Sequence, residues 1–283
     1  IDDFAPRISW IFNTQNSFLE EIAKYRALRR IWAKIMRERY SAKDPRSWTL
    51  RTHVQTGGAT LTAQQPELNI VRATLQALAS VVGGVQSLAL SCYDEALALP
   101  TEEAQRIAVR TQQIIAYESG VTDTADPLGG SYYIESLTNE LEKGAGEYLD
   151  RILDMGGAVT AIESGYIQRE IQEASWAYQS AVDEGRKTIV SVNKFRVAEE
   201  EPQMTFRVNP EAERAQIKKL DAFKKQRDDT AVEAALKRLD DVCRDGENLM
   251  YPIMEAVRVY ATLGEICGVM RNTFGDYRAP TAV

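Results

Sequence analysis

Histidine and cysteine, the residues that most often hold transition metals, are scarce in this chain. Its 283 residues contain one histidine and three cysteines, which stand far apart at positions 92, 243 and 267. Three scattered cysteines are too few for a disulfide framework or a zinc site, and a single histidine excludes a histidine-rich centre. The sequence therefore predicts no metal ligands in this chain and a reducing compartment, the cytoplasm.

Long apolar runs and an excess of positive charge are also missing. No run reaches the ~20 residues that span a bilayer, and the first ten residues lack the shape of a signal peptide. A net charge of −7 disfavours nucleic acids and anionic membranes as partners. No glycine-rich phosphate motif and no nucleophile elbow is present. We expect a protein that binds neither nucleic acid nor membrane.

Three β-like runs, each followed by a helical pattern, make up the first part of the chain. The runs lie near 6–12, 49–55 and 85–91, and their helices begin near Ser17, Pro66 and Thr101. Ser17 and Glu20 have the spacing of a capping box. Strands that alternate with helices favour an α/β class with a parallel sheet. Three units cannot close a barrel, so they form either a small layered sheet or part of a (β/α)₈ barrel.

The second part of the chain is predicted to be mainly helical. A turn-rich loop at 124–136 precedes helices at 134–155 and 158–184, and a β-like run covers 188–195. A polar linker at 196–208 leads to a charged helical stretch from Pro210 to Asp245 and a more apolar helix at 251–274. The predicted units are 1–121, with three β/α units, then 122–208, with loop, helices and linker, and 209–283, a helical segment.

The only histidine lies in "RTHVQTGG", which reads as a strand that ends in two glycines. His53 and Gln55 alternate with Val54, so both polar side chains point to one face of the strand. They line a barrel lumen or form a structural pair near the sheet, and the residues alone favour neither. Gly57 and Gly58 form a plain loop or bring bare backbone against a flat cofactor, and the residues alone favour the loop.

Two further loops carry candidate residues. Asp94 and Glu95, in "CYDEALALP", follow the third strand, where the loops of an α/β barrel carry function, or they cap a helix. The stretch "DPLGGSYY" at 126–133 is a binding loop or a set of tight turns. The charged helices at 210–245 indicate a solvated surface.

Six motifs occur in an order that identifies a family resemblance. They are "FAPRISW", "RTHVQTGG" with "LTAQQPELNIVR", "GGVQSL", "DEALALPT", "DPLGGSYYIE" and "VNKF". Together they resemble the catalytic large chain of methylmalonyl-CoA mutase and related adenosylcobalamin-dependent acyl-CoA mutases. The resemblance implies an isomerase in which an acyl-CoA threads a TIM barrel and cobalamin caps the carboxyl ends of the strands. It also implies a radical rearrangement of the carbon skeleton, with the hard chemistry supplied by the cofactor.

The resemblance also implies residue roles. Arg7 and Ser9 match contacts to the CoA part of the substrate, for which a guanidinium fork is suited. His53 and Gln55 match the catalytic pair that lines the lumen. The matching cobalamin contacts are Gly58, which lies against the corrin, Glu95, which binds the adenosyl ribose, and Ala98.

Three positions depart from the family pattern. Gly57 stands where many members have serine, and Ala89 and Ser91 stand where many have histidine and asparagine. Ala89 and Ser91 are smaller than those residues and lie near the implied pocket. We therefore expect a preferred substrate other than methylmalonyl-CoA, with a bulkier acyl group.

Two parts of the family pattern are not found. The earlier barrel strands and the Asp-x-His-x-x-Gly motif of the cobalamin domain are missing, so the cobalt ligand is expected from another domain or subunit. We interpret the chain as the C-terminal portion of the large subunit of a split-type mutase, with a small cobalamin-binding subunit and the remainder of the barrel as partners in a hetero-oligomer. The alternative is a non-catalytic assembly or regulatory subunit that retains the fold.

Overall fold

The computed structural model describes residues 1–198 and 206–278. The chain divides into two compact units, one made of Ile1–Arg207 and one that begins at Val208. Most of the linker predicted at 196–208 lies outside the described residues. Each unit is described by itself below.

Three parallel strands form the sheet of the first unit. They are β1 (Trp10–Thr14), β2 (Thr52–Thr56) and β3 (Ser87–Ala89), and β2 lies between the other two. Ile11 and Ser87 lie beside His53, while Asn13 and Ala89 lie beside Gln55. The parallel sheet predicted from the sequence is confirmed, and the described part of the chain is a mixed α/β structure.

The first strand begins later than the sequence indicates. Residues Ala5–Arg7 form a 3₁₀ turn with Pro6 in its first positions, and the strand starts only at Trp10. Proline fixes φ in the helical range and has no N–H to donate to a neighbouring strand, which favours a turn here. Arg7 therefore precedes β1, and the prediction that it lies on a strand is wrong. Ser9 is exposed just before the strand.

A helix follows each strand, as predicted. They are α1 (Phe18–Lys34), which continues as a π-helical turn over Ile35–Arg39, α2 (Leu68–Val82) and α3 (Glu102–Glu118). Thr101 caps α3 by accepting a hydrogen bond from the N–H of Ala104. Ser17 is the N-cap of α1, but its side chain makes no capping hydrogen bond, so the predicted capping box does not form.

The rest of the first unit is helical, with one more break than expected. Its helices are α4 (Tyr132–Asp154), α5 (Ala158–Glu163) and α6 (Tyr166–Asp183). Gly156 and Gly157 interrupt the helices as predicted, and Gly165, which has a φ of +73°, adds a second interruption. Helix α4 packs along α1.

The β-like run at 188–195 does not form a strand. Within it, the described backbone makes turns and a single bridge between Val190 and Lys194. The Asn193 side chain accepts the N–H of Ile189 and donates to the carbonyls of Val182 and Lys187. These bonds hold the segment against the end of α6. They outweigh the β propensity of its residues, so no strand forms.

One face of the sheet is buried and the other is open. Thr52, Val54 and Thr56 of β2 are buried, and helix α2 contacts both β1 and β2. On the buried face of the sheet, the Thr14 hydroxyl is 2.7 Å from the Tyr25 hydroxyl and 2.6 Å from the Ser80 hydroxyl. The opposite face of the sheet, which carries the exposed Ile11, has no covering element among the described residues.

The second unit is a bundle of four described helices. They are α7 (Pro210–Gln226), α8 (Asp229–Asp245), α9 (Met250–Arg258) and α10 (Leu263–Phe274). The sequence predicted one helical stretch where α7 and α8 lie and one helix where α9 and α10 lie. Asp228 and Thr262 each accept a backbone N–H as the N-cap of a new helix, which explains both breaks. The core consists of Leu239, Cys243, Ala256 and Ile266.

None of the described helices is long and apolar enough to cross a membrane. The described residues also contain no group of three or more histidine, cysteine, aspartate or glutamate side chains that could hold a metal ion.

Candidate active site

The open face of the sheet carries a row of polar side chains. His53 and Gln55 point to this face, while Val54 between them is buried, so the alternation in the sequence is confirmed. The His53 Nδ1 atom makes a hydrogen bond with the Ser87 hydroxyl on the neighbouring strand. This bond fixes the plane of the imidazole and leaves its Nε2 atom available to a ligand.

Sequence analysis did not single out Ser87. The residue lies in the quoted motif "GGVQSL", but only the pairing of β2 with β3 shows that it is beside His53. Strand register is a long-range property, so no local pattern could assign this partner.

Ala89 and Ser91, the two departures near the pocket, have different environments. Ser91 is only 3% exposed, and its hydroxyl donates to the Thr56 carbonyl at 2.9 Å, while its N–H donates to the Thr56 hydroxyl at 2.7 Å. These bonds tie the segment after β3 to the end of β2. Ala89 lies beside Gln55 on the open face. The Ser91 hydroxyl also accepts a hydrogen bond from the Gln55 amide at 3.5 Å, so Ser91 contacts the polar row, whereas Ala89 leaves space beside it.

Neither Gly57 nor Gly58 has a positive φ, so close contacts and not backbone conformation limit substitution there. A Cβ atom at Gly57 would lie 2.9 Å from the Thr14 carbonyl oxygen, which is backbone and cannot easily move. A Cβ atom at Gly58 would clash with Glu95 Oε1, which is the far end of a flexible side chain. The fold thus brings Gly58 and Glu95 together, although they are 37 positions apart in the sequence.

The turn after β3 holds Glu95 in place. The Glu95 N–H donates to the Cys92 carbonyl, and the Ala98 N–H donates to the carbonyl of Asp94. The Asp94 carboxylate is buried and accepts the N–H of Thr101 at 2.8 Å, so this side chain supports the start of α3. Burial, together with the Asp94 and Glu95 charges, raises the pKa of the Cys92 thiol. Glu95 remains exposed, with its carboxylate over Gly58.

A cleft of about 470 Å³ lies at the amino ends of β1 and β2. Three arginines line it, which are Arg7, Arg46 and Arg51, together with Asp2, Asp3, Pro6 and Thr49. Arg51 donates to the Pro6 carbonyl at 3.0 Å and so holds the turn that carries Arg7. No local pattern in the sequence marks Arg46 and Arg51, because only the fold brings them to Arg7. Ser9 is not among the residues that line the cleft.

The Asp2 carboxylate in this cleft already has hydrogen-bond partners within the protein. It accepts hydrogen bonds from the N–H of Lys43 at 2.9 Å and from the Ser47 hydroxyl at 2.7 Å. These bonds lower the pKa of Asp2. The Arg46 guanidinium pairs with Asp44, whereas Arg7 makes no ion pair with any of the described residues. The charge of Arg7 is therefore available to an anionic ligand.

The candidate residues follow one direction along the sheet. The arginine cleft precedes the strands, His53 and Gln55 lie on their open face, and Gly58 and Glu95 lie beyond their carboxyl ends. Five residues of parallel strand span roughly 16 Å. The arrangement suits a long ligand with an anionic end, whose other end lies near the Gly58 loop.

Comparison with known proteins gives an independent result. The family model described as methylmalonyl-CoA mutase matches residues 1–276. The large subunit of 2-hydroxyisobutanoyl-CoA mutase from Aquincola tertiaricarbonis is 46% identical, over 98% of this chain and 50% of the relative. Methylmalonyl-CoA mutase from Rhizobium meliloti is 44% identical, and that from Escherichia coli is 43% identical, each over 99% of this chain and 39% of the relative. The chain thus spans about half or less of the length of these curated relatives.

Proposed function

This chain belongs to the methylmalonyl-CoA mutase family, and from that premise we propose that it forms part of an adenosylcobalamin-dependent acyl-CoA mutase. The observation that carries the proposal is the order of groups along the sheet. A cluster of arginines, a polar strand face and a glycine paired with a carboxylate follow one another in the direction of the strands.

The arginine cleft is the proposed site of the CoA phosphates. A guanidinium offers a rigid fork of donors that matches phosphate oxygens. The Arg7 guanidinium lines the cleft and makes no ion pair with any described residue. Ser9, on the way from the cleft to β1, is proposed to donate its hydroxyl to the same part of the substrate. The acyl thioester then reaches the face that carries His53 and Gln55. His53 Nε2 and the Gln55 amide are the groups that orient it there.

The residues at the carboxyl ends of the strands fit adenosylcobalamin. Gly58, which has no side chain, is proposed to lie against the corrin ring, with the Glu95 carboxylate where a Cβ atom of Gly58 would project. That exposed carboxylate can accept two hydroxyl groups, as a ribose presents. Ala98, in the same turn, is proposed as a further contact. When bound, the cofactor supplies a carbon-centred radical, while this chain orients the substrate and excludes water.

The proposed barrel needs strands beyond the three described here. Strands β1 and β3 pair only with β2 among the described residues, so each has an open edge. We propose that the remainder of the (β/α)₈ barrel pairs with these edges, and that a small cobalamin-binding subunit completes a hetero-oligomer. The name of one relative as a large subunit supports this assembly.

The preferred acyl group is proposed to differ from methylmalonyl. Ala89 leaves space beside Gln55, where many members of the family have a larger histidine. The relatives themselves include a mutase named for 2-hydroxyisobutanoyl-CoA as well as those named for methylmalonyl-CoA.

The experiment is a turnover assay of the complete enzyme with a panel of acyl-CoA esters, with and without adenosylcobalamin. We expect a rearranged acyl-CoA, detected by mass spectrometry, only when the cofactor is present. Adenosylcobalamin binding without rearrangement of any ester would support the non-catalytic alternative. No binding of the cofactor at all would contradict the proposed function.

A further inference from the structure

Two buried amides of α2 hold the loops that carry Gly58 and Glu95. Gln76 is 1% exposed, and its Oε1 atom accepts the N–H of Gly57 at 2.9 Å. Its Nε2 atom donates to the Thr60 hydroxyl at 2.6 Å and to the Asn16 side chain. The Gly57 N–H also donates to the Thr14 carbonyl at 2.7 Å. The Gln76 side chain is thus the one group that bonds to both ends of the Gly57–Thr60 turn and to the loop after β1.

Asn69, two helical turns before Gln76, bonds to both of the loops that follow β2 and β3. Its amide accepts the N–H of Thr62 at 3.1 Å and donates to the Thr62 carbonyl at 2.8 Å. The same amide nitrogen donates to the Tyr93 carbonyl at 2.9 Å. Tyr93 is two residues before Glu95. Because Asn69 and Gln76 are seven positions apart, they project from the same face of the helix.

Neither amide is needed to form the helix itself. Both residues are fully buried, and most of their polar contacts are to loops. Within α2, the Asn69 oxygen also accepts a hydrogen bond from the Arg72 guanidinium at 2.8 Å. A buried amide must satisfy all its donors and its acceptor, and a satisfied network fixes one arrangement of the groups that it joins. Apolar residues would fill the space without setting the distance between the two loops.

We propose that Gln76 and Asn69 are positioning residues that fix Gly58 and Glu95 in the arrangement that receives the cofactor. This inference rests on the function proposed above. The polar side of α2 pre-organises the site before any ligand arrives, so that binding does not have to order these loops.

The test compares Gln76→Leu with Ser80→Ala in the complete enzyme. Ser80 is equally buried on α2, and its hydroxyl contacts Thr14 and the Gln76 carbonyl but neither loop. Adenosylcobalamin affinity is measured by absorbance titration, acyl-CoA affinity by calorimetry, and the order of residues 57–62 by hydrogen–deuterium exchange without ligand. We expect Gln76→Leu to weaken cofactor binding roughly tenfold. We also expect it to speed exchange in the loop and to leave acyl-CoA affinity unchanged.

Ser80→Ala is expected to lower the melting temperature while it leaves cofactor affinity and loop exchange unchanged. If Gln76→Leu prevents folding, Thr60→Val removes the partner of the amide on the loop side and is expected to give the same pattern more weakly. This inference alone is overturned if the wild-type enzyme binds adenosylcobalamin and the Gln76→Leu variant keeps either the same cofactor affinity or the same loop exchange. A wild-type enzyme that does not bind the cofactor overturns the proposed function, and this inference with it.

Discussion

At the scale of single residues, two adjacent glycines make different contacts and should respond differently to substitution. A methyl group at Gly57 meets the Thr14 backbone, whereas one at Gly58 meets the movable end of Glu95. We expect Gly57→Ala to cost about 1–3 kcal/mol of folding free energy through overpacking, with a lower melting temperature. Gly58→Ala should leave the melting temperature nearly unchanged, because the Glu95 side chain can move to another rotamer.

For Gly58, the expected loss is in cofactor binding. A Cβ atom displaces the Glu95 carboxylate, and a valine adds bulk, so Gly58→Val should weaken adenosylcobalamin by about 1–3 kcal/mol. The adenosylcobalamin affinity is measured by spectral titration of the complete enzyme. Gly144→Ala is the control, since nothing lies within 4 Å of a Cβ there. Wild-type affinity in Gly58→Val would mean that this loop does not face the cofactor.

Arg7 is expected to contribute to substrate binding. Arg7→Ala should raise the KM for acyl-CoA, because a charge-assisted hydrogen bond to phosphate contributes about 1.5–3 kcal/mol. Arg110→Ala, an exposed arginine on α3, serves as the control in the same steady-state assay. Unchanged KM in the Arg7 variant would remove this residue from the substrate site.

Local patterns predicted some of these residues and could not predict others. The alternation around Val54 correctly places His53 and Gln55 on one face, because strand periodicity depends on neighbours alone. Ser87, Gln76 and the arginines at 46 and 51 come to the site through register and packing, which no local pattern contains.

At the scale of elements, the sequence predicted the existence of strands and helices better than their ends. The cap at Thr101 formed, whereas Ser17 occupies the cap position without making the bond. The run at 188–195 has β-like residues but folds into turns, since the Asn193 amide bonds to three backbone groups nearby. Side chains that compete for backbone partners therefore limit prediction from propensity.

The second unit should lose stability in acid through one carboxylate. Glu265 accepts two hydrogen bonds from Arg227, at 2.8 and 2.7 Å, and the N–H of Thr262 at 2.8 Å. The bonds to Arg227 are the main cause that lowers the pKa of Glu265 well below its ordinary value of 4.5. Because the pKa is lower in the folded state, this stabilisation is complete above the unfolded value and is lost as the pH falls toward the folded one.

Glu265→Gln should therefore lower the melting temperature at neutral pH and reduce its change between pH 7 and pH 3. The expected shift is about 4–8 °C for each kcal/mol lost in a unit of this size. Calorimetry of the chain at several pH values measures it, with Glu247→Gln as an exposed control. Equal pH profiles for Glu265→Gln and wild type would contradict the role given to this pair.

At the scale of the whole molecule, the sheet has two open edges and an uncovered face among the described residues. Ile11 on that face is 75% exposed. Unpaired strand edges and exposed apolar side chains promote association. We expect the chain alone to self-associate, as measured by sedimentation velocity. A monomer with one sharp melting transition would contradict the interpretation as part of a barrel.

The parallel topology itself could be predicted, because strands that alternate with helices allow few other arrangements. The element that covers the open face could not be predicted, because three strands are equally compatible with a small sheet and with a segment of a barrel. The family relationship, and not the pattern of elements, favours the barrel.

The most direct test of the central claim is a structure of the complete enzyme with a non-reactive acyl-CoA. We expect CoA phosphates at Arg7, Arg46 and Arg51, and an acyl group between His53 and Gln55 on the open face. We also expect the acyl end to point toward Gly58 and Glu95. Phosphates bound away from the arginine cleft, or an acyl group on the other side of the sheet, would contradict the central claim.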